Sequence, residues 1–170
     1  LGKRFLMEEY GEQVFPAEFE AKLGGFQYVA LGHWHNCQKI DLHPCAWYAG
    51  STERLSDTEI GSEKGFLLLD IGADGACSVT FESVATRPWL RWSLGNCHER
   101  SVADIELALE AFRSENDTRD AMLSLQFDDI RPEQTLEMSN LRLRQIFPDA
   151  FQLIPKRRTY SDRAFVRGID

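Results

Sequence analysis

The 170-residue sequence predicts an α+β fold in two parts. A strand-rich segment occupies residues 1–86, and a small β-α-β-α-β unit occupies residues 87–170. Three observations predict this division. Up to Val84 the apolar residues fall in short runs broken by turn residues. After Pro88, strand-like runs alternate with segments of helical period, the pattern of a layered α/β unit. The tripeptide Thr86-Arg87-Pro88 stands between the two regimes.

Residues 1–15 are acidic and poorly patterned (Glu8, Glu9, Glu12) and read as loop or partial strand. Pro16–Leu23 reads as a short helix, with Pro16 at its first position and Gly24-Gly25 stopping it. The apolar run Phe26–Leu31 reads as a buried strand. Residues 36–45 are expected to be loop. Trp47-Tyr48-Ala49 then forms a short strand into a Gly50-Ser51 turn. Residues 52–64 are polar and read as a surface loop. Gly65–Ile71 and Cys77–Val84 flank Ala73-Asp74-Gly75, a hairpin signal. In the second part, Trp89–Leu94 reads as a strand. Ser101 caps a helix from Val102 to Ser114, whose apolar stripe is Val102, Ile105, Leu109 and Phe112. Ala121–Phe127 reads as a strand, Thr135–Phe147 as a helix stopped by Pro148, and Phe151–Ile154 as a last strand.

Composition narrows the class. A hydrophobic fraction of 43% suits a folded globular chain and argues against a disordered tail. No apolar run approaches the ~18–20 residues that span a bilayer, and no membrane partner is expected. No signal-peptide pattern opens the chain. The four cysteines (Cys37, Cys45, Cys77, Cys97) include no Cys-x-x-Cys pair, which suits reduced thiols in a cytoplasmic protein. The net charge of −8 argues against nucleic-acid binding by the whole surface and leaves room for a local basic face. Lys156, Arg157, Arg158, Arg163 and Arg167 form such a cluster, and Arg87 and Arg91 a smaller one. Each is either a solvated face or a set of phosphate contacts.

The chemistry-bearing stretch is Gly32-His33-Trp34-His35, at the end of the first apolar run. Alternate residues of an extended chain project to one side, roughly 6–7 Å apart at a ~3.3 Å rise per residue. His33 and His35 can then reach one metal or two adjacent ones, or they merely cap the strand in a polar loop. Gly32 is expected to relieve crowding at the turn. Trp34 faces the other way, toward the core or as a stacking platform for an unpaired base. Asp41 and His43 alternate downstream and offer two further ligands or plain surface.

After the histidines come Tyr48-Ala49-Gly50-Ser51, then Arg54-Leu55-Ser56, then Lys64-Gly65-Phe66, then Thr86-Arg87-Pro88. These blocks, in this order after Gly-His-x-His, resemble the C-terminal half of the calcineurin-like metallophosphoesterases. The SbcD-like DNA repair exonuclease branch is the nearest in pattern. The resemblance covers residues 16–95 by motif and 96–156 by element order. It implies that residues 1–86 form the C-terminal part of a metallophosphoesterase β-sandwich and residues 87–170 a capping domain that guides DNA. It implies two divalent metals, usually Mn²⁺, that polarise a phosphodiester and generate the nucleophile. His33 and His35 match the family's last two histidine ligands. Ser51, Arg54 and Arg87 are candidate substrate contacts, the plain alternative for Arg54 being an ion pair with Glu53 or Asp57. Where the family often carries an aromatic after Leu-Ser, this chain has Asp57.

The family's upstream ligands, Asp-x-His, Gly-Asp, Asn-His and a further His, do not occur before His33, and the chain begins at Leu1. The expectation is therefore a C-terminal portion of a DNA exo- or endonuclease, inactive by itself. The implied partners are DNA, an SMC-type ATPase and a second copy of the chain. The rival expectations are a metallophosphoesterase for small phosphodiesters or phosphoproteins, and a non-catalytic module that binds DNA or a partner.

Overall fold

The computed structural model describes residues 22–41 and 45–160. Among the described residues the fold is mixed α+β, with three sheets. The chain divides into two compact units, one running to Glu53 and resuming over Ser62–Ala85, the other made of Arg54–Gly61 and everything from Thr86 onward. Arg54–Gly61, a stretch expected within the first part, is thus counted with the second.

In the first unit, β1 (Val29–Leu31), β2 (Gln38–Ile40) and β3 (Ala46–Tyr48) form a sheet of order β1-β3-β2. β1 runs parallel to β3, with Val29 opposite Ala46 and Leu31 opposite Tyr48, and β2 runs antiparallel to β3. The expected strand over Phe26–Leu31 shrinks to three residues, with Phe26 exposed and Ala30 facing solvent. β2 falls in the expected loop over 36–45. Its Gln-Lys-Ile sequence carries no apolar alternation that would announce a strand. The expected helix over Pro16–Leu23 lies outside the described residues except for Lys22 and Leu23, which are helical.

The hairpin β4 (Gly65–Ile71) and β5 (Cys77–Ser83) pairs antiparallel from Gly65↔Ser83 to Ile71↔Cys77. Gly75 takes a φ of +82° in the connecting turn, and the Gly72 amide donates to the Ala76 carbonyl at 2.8 Å. One hairpin face carries Leu67, Leu69 and Ile71 opposite Phe81, Val79 and Cys77. Phe66, Leu68, Leu69 and Ile71 all remain exposed. A strand pair of this kind has little of its own core.

The second unit holds the larger core. β6 (Trp89–Leu94), β7 (Met122–Ile130) and β8 (Gln152–Thr159) form an all-parallel sheet of order β6-β7-β8. Parallel strands need crossovers, supplied by α1 (Val102–Glu115) and by α2 (Pro132–Glu137) with α3 (Asn140–Ile146). Leu123, Leu125 and Phe127 on the central strand are fully buried with Ile105, Leu109, Leu143 and Phe147. Ser101 caps α1 through a reciprocal box with Asp104. The single helix expected over Thr135–Phe147 is instead two, because Ser139 caps α3 by accepting from the Arg142 amide. β8 runs through Pro155. It tolerates proline because it is an edge strand.

Candidate functional site

β1 ends at Leu31, before the histidine pair. His33 has a φ of +79°, the left-handed region. The strand alternation that would place His33 and His35 on one side therefore stops short of them. A Cβ on Gly32 would meet nothing within 4 Å, so the crowding that Gly32 is expected to relieve is not there. Histidine is one of the few side chains enriched in the left-handed region. His33 is exposed and His35 half-buried. Trp34 is not in a core. It is 47% exposed, with its ring edge-on to Tyr48 at 6.2 Å.

What positions this loop is a set of bonds to backbone. The His35 carbonyl accepts from Lys64 Nζ at 2.8 Å, from the Ser51 amide at 3.3 Å and from Ser51 Oγ at 3.3 Å. The Lys64 side chain is buried, at 2% exposure, where a lysine is rare without a partner. Ser51 Oγ also lies 2.8 Å from the Glu53 carbonyl, so its hydroxyl is engaged with main chain. Gly50 has a φ of +83°, and a Cβ there would sit 2.9 Å from the Cys37 amide nitrogen and 3.2 Å from the His35 carbonyl oxygen. Gly65 is needed for a different reason. A Cβ there would fall 2.1 Å from the Glu82 carbonyl across the hairpin. The Gly65 amide in turn donates to the Ser51 carbonyl at 3.1 Å. Gly50-Ser51 and Lys64-Gly65 thus meet at the backbone of the histidine loop. The blocks were visible in the sequence, but this convergence was not. The burial of Lys64 has no local signal, because a lysine ahead of an apolar strand reads as surface.

Among the described residues, no group of three or more His, Cys, Asp or Glu side chains is placed to hold a metal. Asp41 is described and lies at a turn; His43 lies outside the described residues.

The other candidate contacts belong to the second unit. Arg54 donates to the Thr86 hydroxyl and to the carbonyls of Glu59 and Arg87, joining its loop to the segment that enters β6. Arg87 pairs with Asp120 at 3.2 Å and lies 3.7 Å over the Phe151 ring. Asp57, 12% exposed, accepts from Lys156 at 2.7 Å and approaches Arg91 at 3.5 Å. The hydrogen bond from Lys156 holds its carboxyl below the ordinary range, against the opposing effect of burial. Arg157 donates to the Met138 carbonyl and to Asn140 Oδ1, and Arg158 pairs with Asp128 at 3.3 Å. Three cations of the expected basic cluster therefore bond within their own unit. Arg163 and Arg167 lie outside the described residues. His98 stacks on Tyr160 at 4.2 Å. No helix among the described residues is long and apolar enough to cross a membrane.

No family model matches the chain. Over 145 residues it is 27% identical to the DNA double-strand break repair protein Mre11 of Thermoplasma acidophilum, an alignment that covers 79% of this chain and 38% of that protein. The chain spans well under half the length of the curated relative it matches.

Proposed function

We propose that this chain is the C-terminal portion of a metal-dependent DNA exo- or endonuclease of the calcineurin-like metallophosphoesterase class, in its SbcD-like branch, acting in DNA repair. The observation that carries the reading is the bonding at His35. Three motif blocks far apart in sequence, Gly-His-x-His, Gly-Ser and Lys-Gly, are tied to one loop through Lys64 Nζ, Ser51 and the close approach at Gly50. A protein gains from fixing an exposed loop this firmly when the loop carries ligands that must be held in place. The similarity to a DNA double-strand break repair protein supports the same reading.

In this reading His33 and His35 are two ligands of a divalent pair, with Mn²⁺ the first candidate, since neutral imidazole suits such ions. The remaining ligands come from the rest of the parent, and the chain alone is inactive. The exposed Phe66, Leu68, Leu69 and Ile71 are the apolar surface that the rest of a sandwich would cover. Residues 87–170 act as the cap that guides DNA, and an SMC-type ATPase and a second copy of the chain are the partners. Ser51, Arg54 and Arg87 are the candidate substrate contacts, and bonds to neighbouring main chain and side chains hold them in place.

Calorimetric titration of Mn²⁺ into the chain, beside a His33→Ala/His35→Ala double variant, tests the ligand assignment. Weak binding that disappears in the double variant is expected. Binding that the double variant retains would remove the histidines from the metal. Tight stoichiometric binding by the unaltered chain would mean a complete site and would end the reading of it as a portion. Cleavage of a small model diester but not of linear duplex DNA by the parent would favour a small-phosphodiester enzyme.

A further inference from the structure

We propose that Cys45 and Cys77 form a redox-responsive thiol pair, which a small-molecule disulfide such as oxidised glutathione converts into a cross-link between the start of β3 and the start of β5. The proposal is independent of the nuclease reading. Its ground is geometric. Cys45 Sγ lies 2.8 Å from Cys77 Sγ, although the two residues are distant in sequence, Cys45 just preceding β3 and Cys77 opening β5 of the same unit. An S–S bond is about 2.05 Å long, so the remaining approach is about 0.75 Å. All four cysteines are thiols in this structure.

The other two cysteines are placed differently. β2 pairs with β3 as Gln38↔Tyr48 and Ile40↔Ala46, which puts Cys37 beyond the far end of β3 from Cys45. Cys97 is fully buried in the second unit, its Sγ 3.3 Å from the Leu94 carbonyl. Within the pair the roles differ as well. Cys77 is half-exposed and Cys45 is buried. Burial, with the neighbouring Cys77 sulfur adding to it, pushes the Cys45 thiol up to about 11. Cys77 is therefore the sulfur a dissolved disulfide meets first.

The exchange balances in two steps. The Cys77 thiolate attacks one sulfur of oxidised glutathione, breaks its S–S bond and releases one glutathione thiolate, which takes up the proton Cys77 lost. Cys45 then gives up its proton, attacks the Cys77 sulfur of the mixed disulfide and expels the second glutathione. Two electrons and two protons pass from the protein to glutathione. Because the Cys45 carbonyl accepts the Val29 amide at 3.0 Å, the new bond pins the base of β1, the strand that leads into the histidine loop.

The full chain is incubated with oxidised glutathione, blocked with N-ethylmaleimide and digested with trypsin. Cleavage after Lys39, Arg54, Lys64 and Arg91 leaves each cysteine in its own peptide. The expected product is one linked pair, Cys45–Cys77, with maleimide on Cys37 and Cys97. The intact mass falls by about 2 Da before blocking, and dithiothreitol reverses the change. Cys45→Ser is expected to stall at a glutathione adduct on Cys77. Cys77→Ser, at the more exposed position, forms no internal bridge. A persistent adduct on Cys77 of the unaltered chain, pairing through Cys37 or Cys97, or no reaction where the urea-unfolded chain reacts would each overturn the proposal.

Discussion

Gly50 meets two demands at once. Its φ of +83° lies where a side chain costs about 1–3 kcal/mol, and its missing Cβ leaves room for the Cys37 amide nitrogen at 2.9 Å. Gly50→Ala is therefore expected to lower stability by about 1–3 kcal/mol in thermal denaturation, with Gly24→Ala, where a Cβ meets nothing, close to neutral. Equal effects would mean that the approach to the histidine loop is not a constraint. At this scale the sequence was partly legible. Gly50-Ser51 and Lys64-Gly65 stood out as blocks. That Lys64 is buried and bonds the His35 carbonyl is a three-dimensional fact with no local signal. The same holds for the left-handed His33, which ends the strand alternation on which the same-side argument for the histidine pair rested.

At the scale of elements, Arg54–Gly61 is the segment whose role was least visible. It is polar, and its only regular structure is a single 3₁₀ turn at Asp57–Glu59. Its anchor is Asp57, bonded to Lys156 on β8 and Arg91 on β6. Because the folded pKa of Asp57 is depressed, this contribution is present above the carboxylate's ordinary pKa of ~3.9 and is lost as pH falls through the lower folded value. Both cations are about half exposed, so Asp57→Asn is expected to cost about 1 kcal/mol near pH 7. The gap to the parent closes on acidification, as denaturant titrations at pH 7 and at lower pH will read. A gap that stays constant with pH would place the loss in packing. The helices and strands with a strong period were legible: the first crossover helix and the hairpin fall close to where their patterns put them. The break at Ser139 was not, because a serine inside an apolar period reads as the wet face until its hydroxyl is seen to cap α3.

For the whole molecule, apolar burial is unevenly spread. Leu123, Leu125 and Phe127 sit on a strand paired on both sides, whereas Leu68 and Ile71 lie exposed on a two-stranded hairpin. Hydrogen exchange is expected to show β7 amides slower than β4 amides by about two orders of magnitude, a gap of roughly 3 kcal/mol in opening free energy. Uniform protection would mean that the two units open together.

The membership of Arg54–Gly61 in the second unit also bears on inheritance. The chain passes between its two units three times, after Glu53, after Gly61 and after Ala85. A recombination event at Thr86 would transplant the β6-β7-β8 sheet without the octapeptide that bears Asp57, and the recipient would receive Lys156 and Arg91 without the carboxylate they share. To move the second unit whole takes both pieces, Arg54–Gly61 and the chain from Thr86 onward.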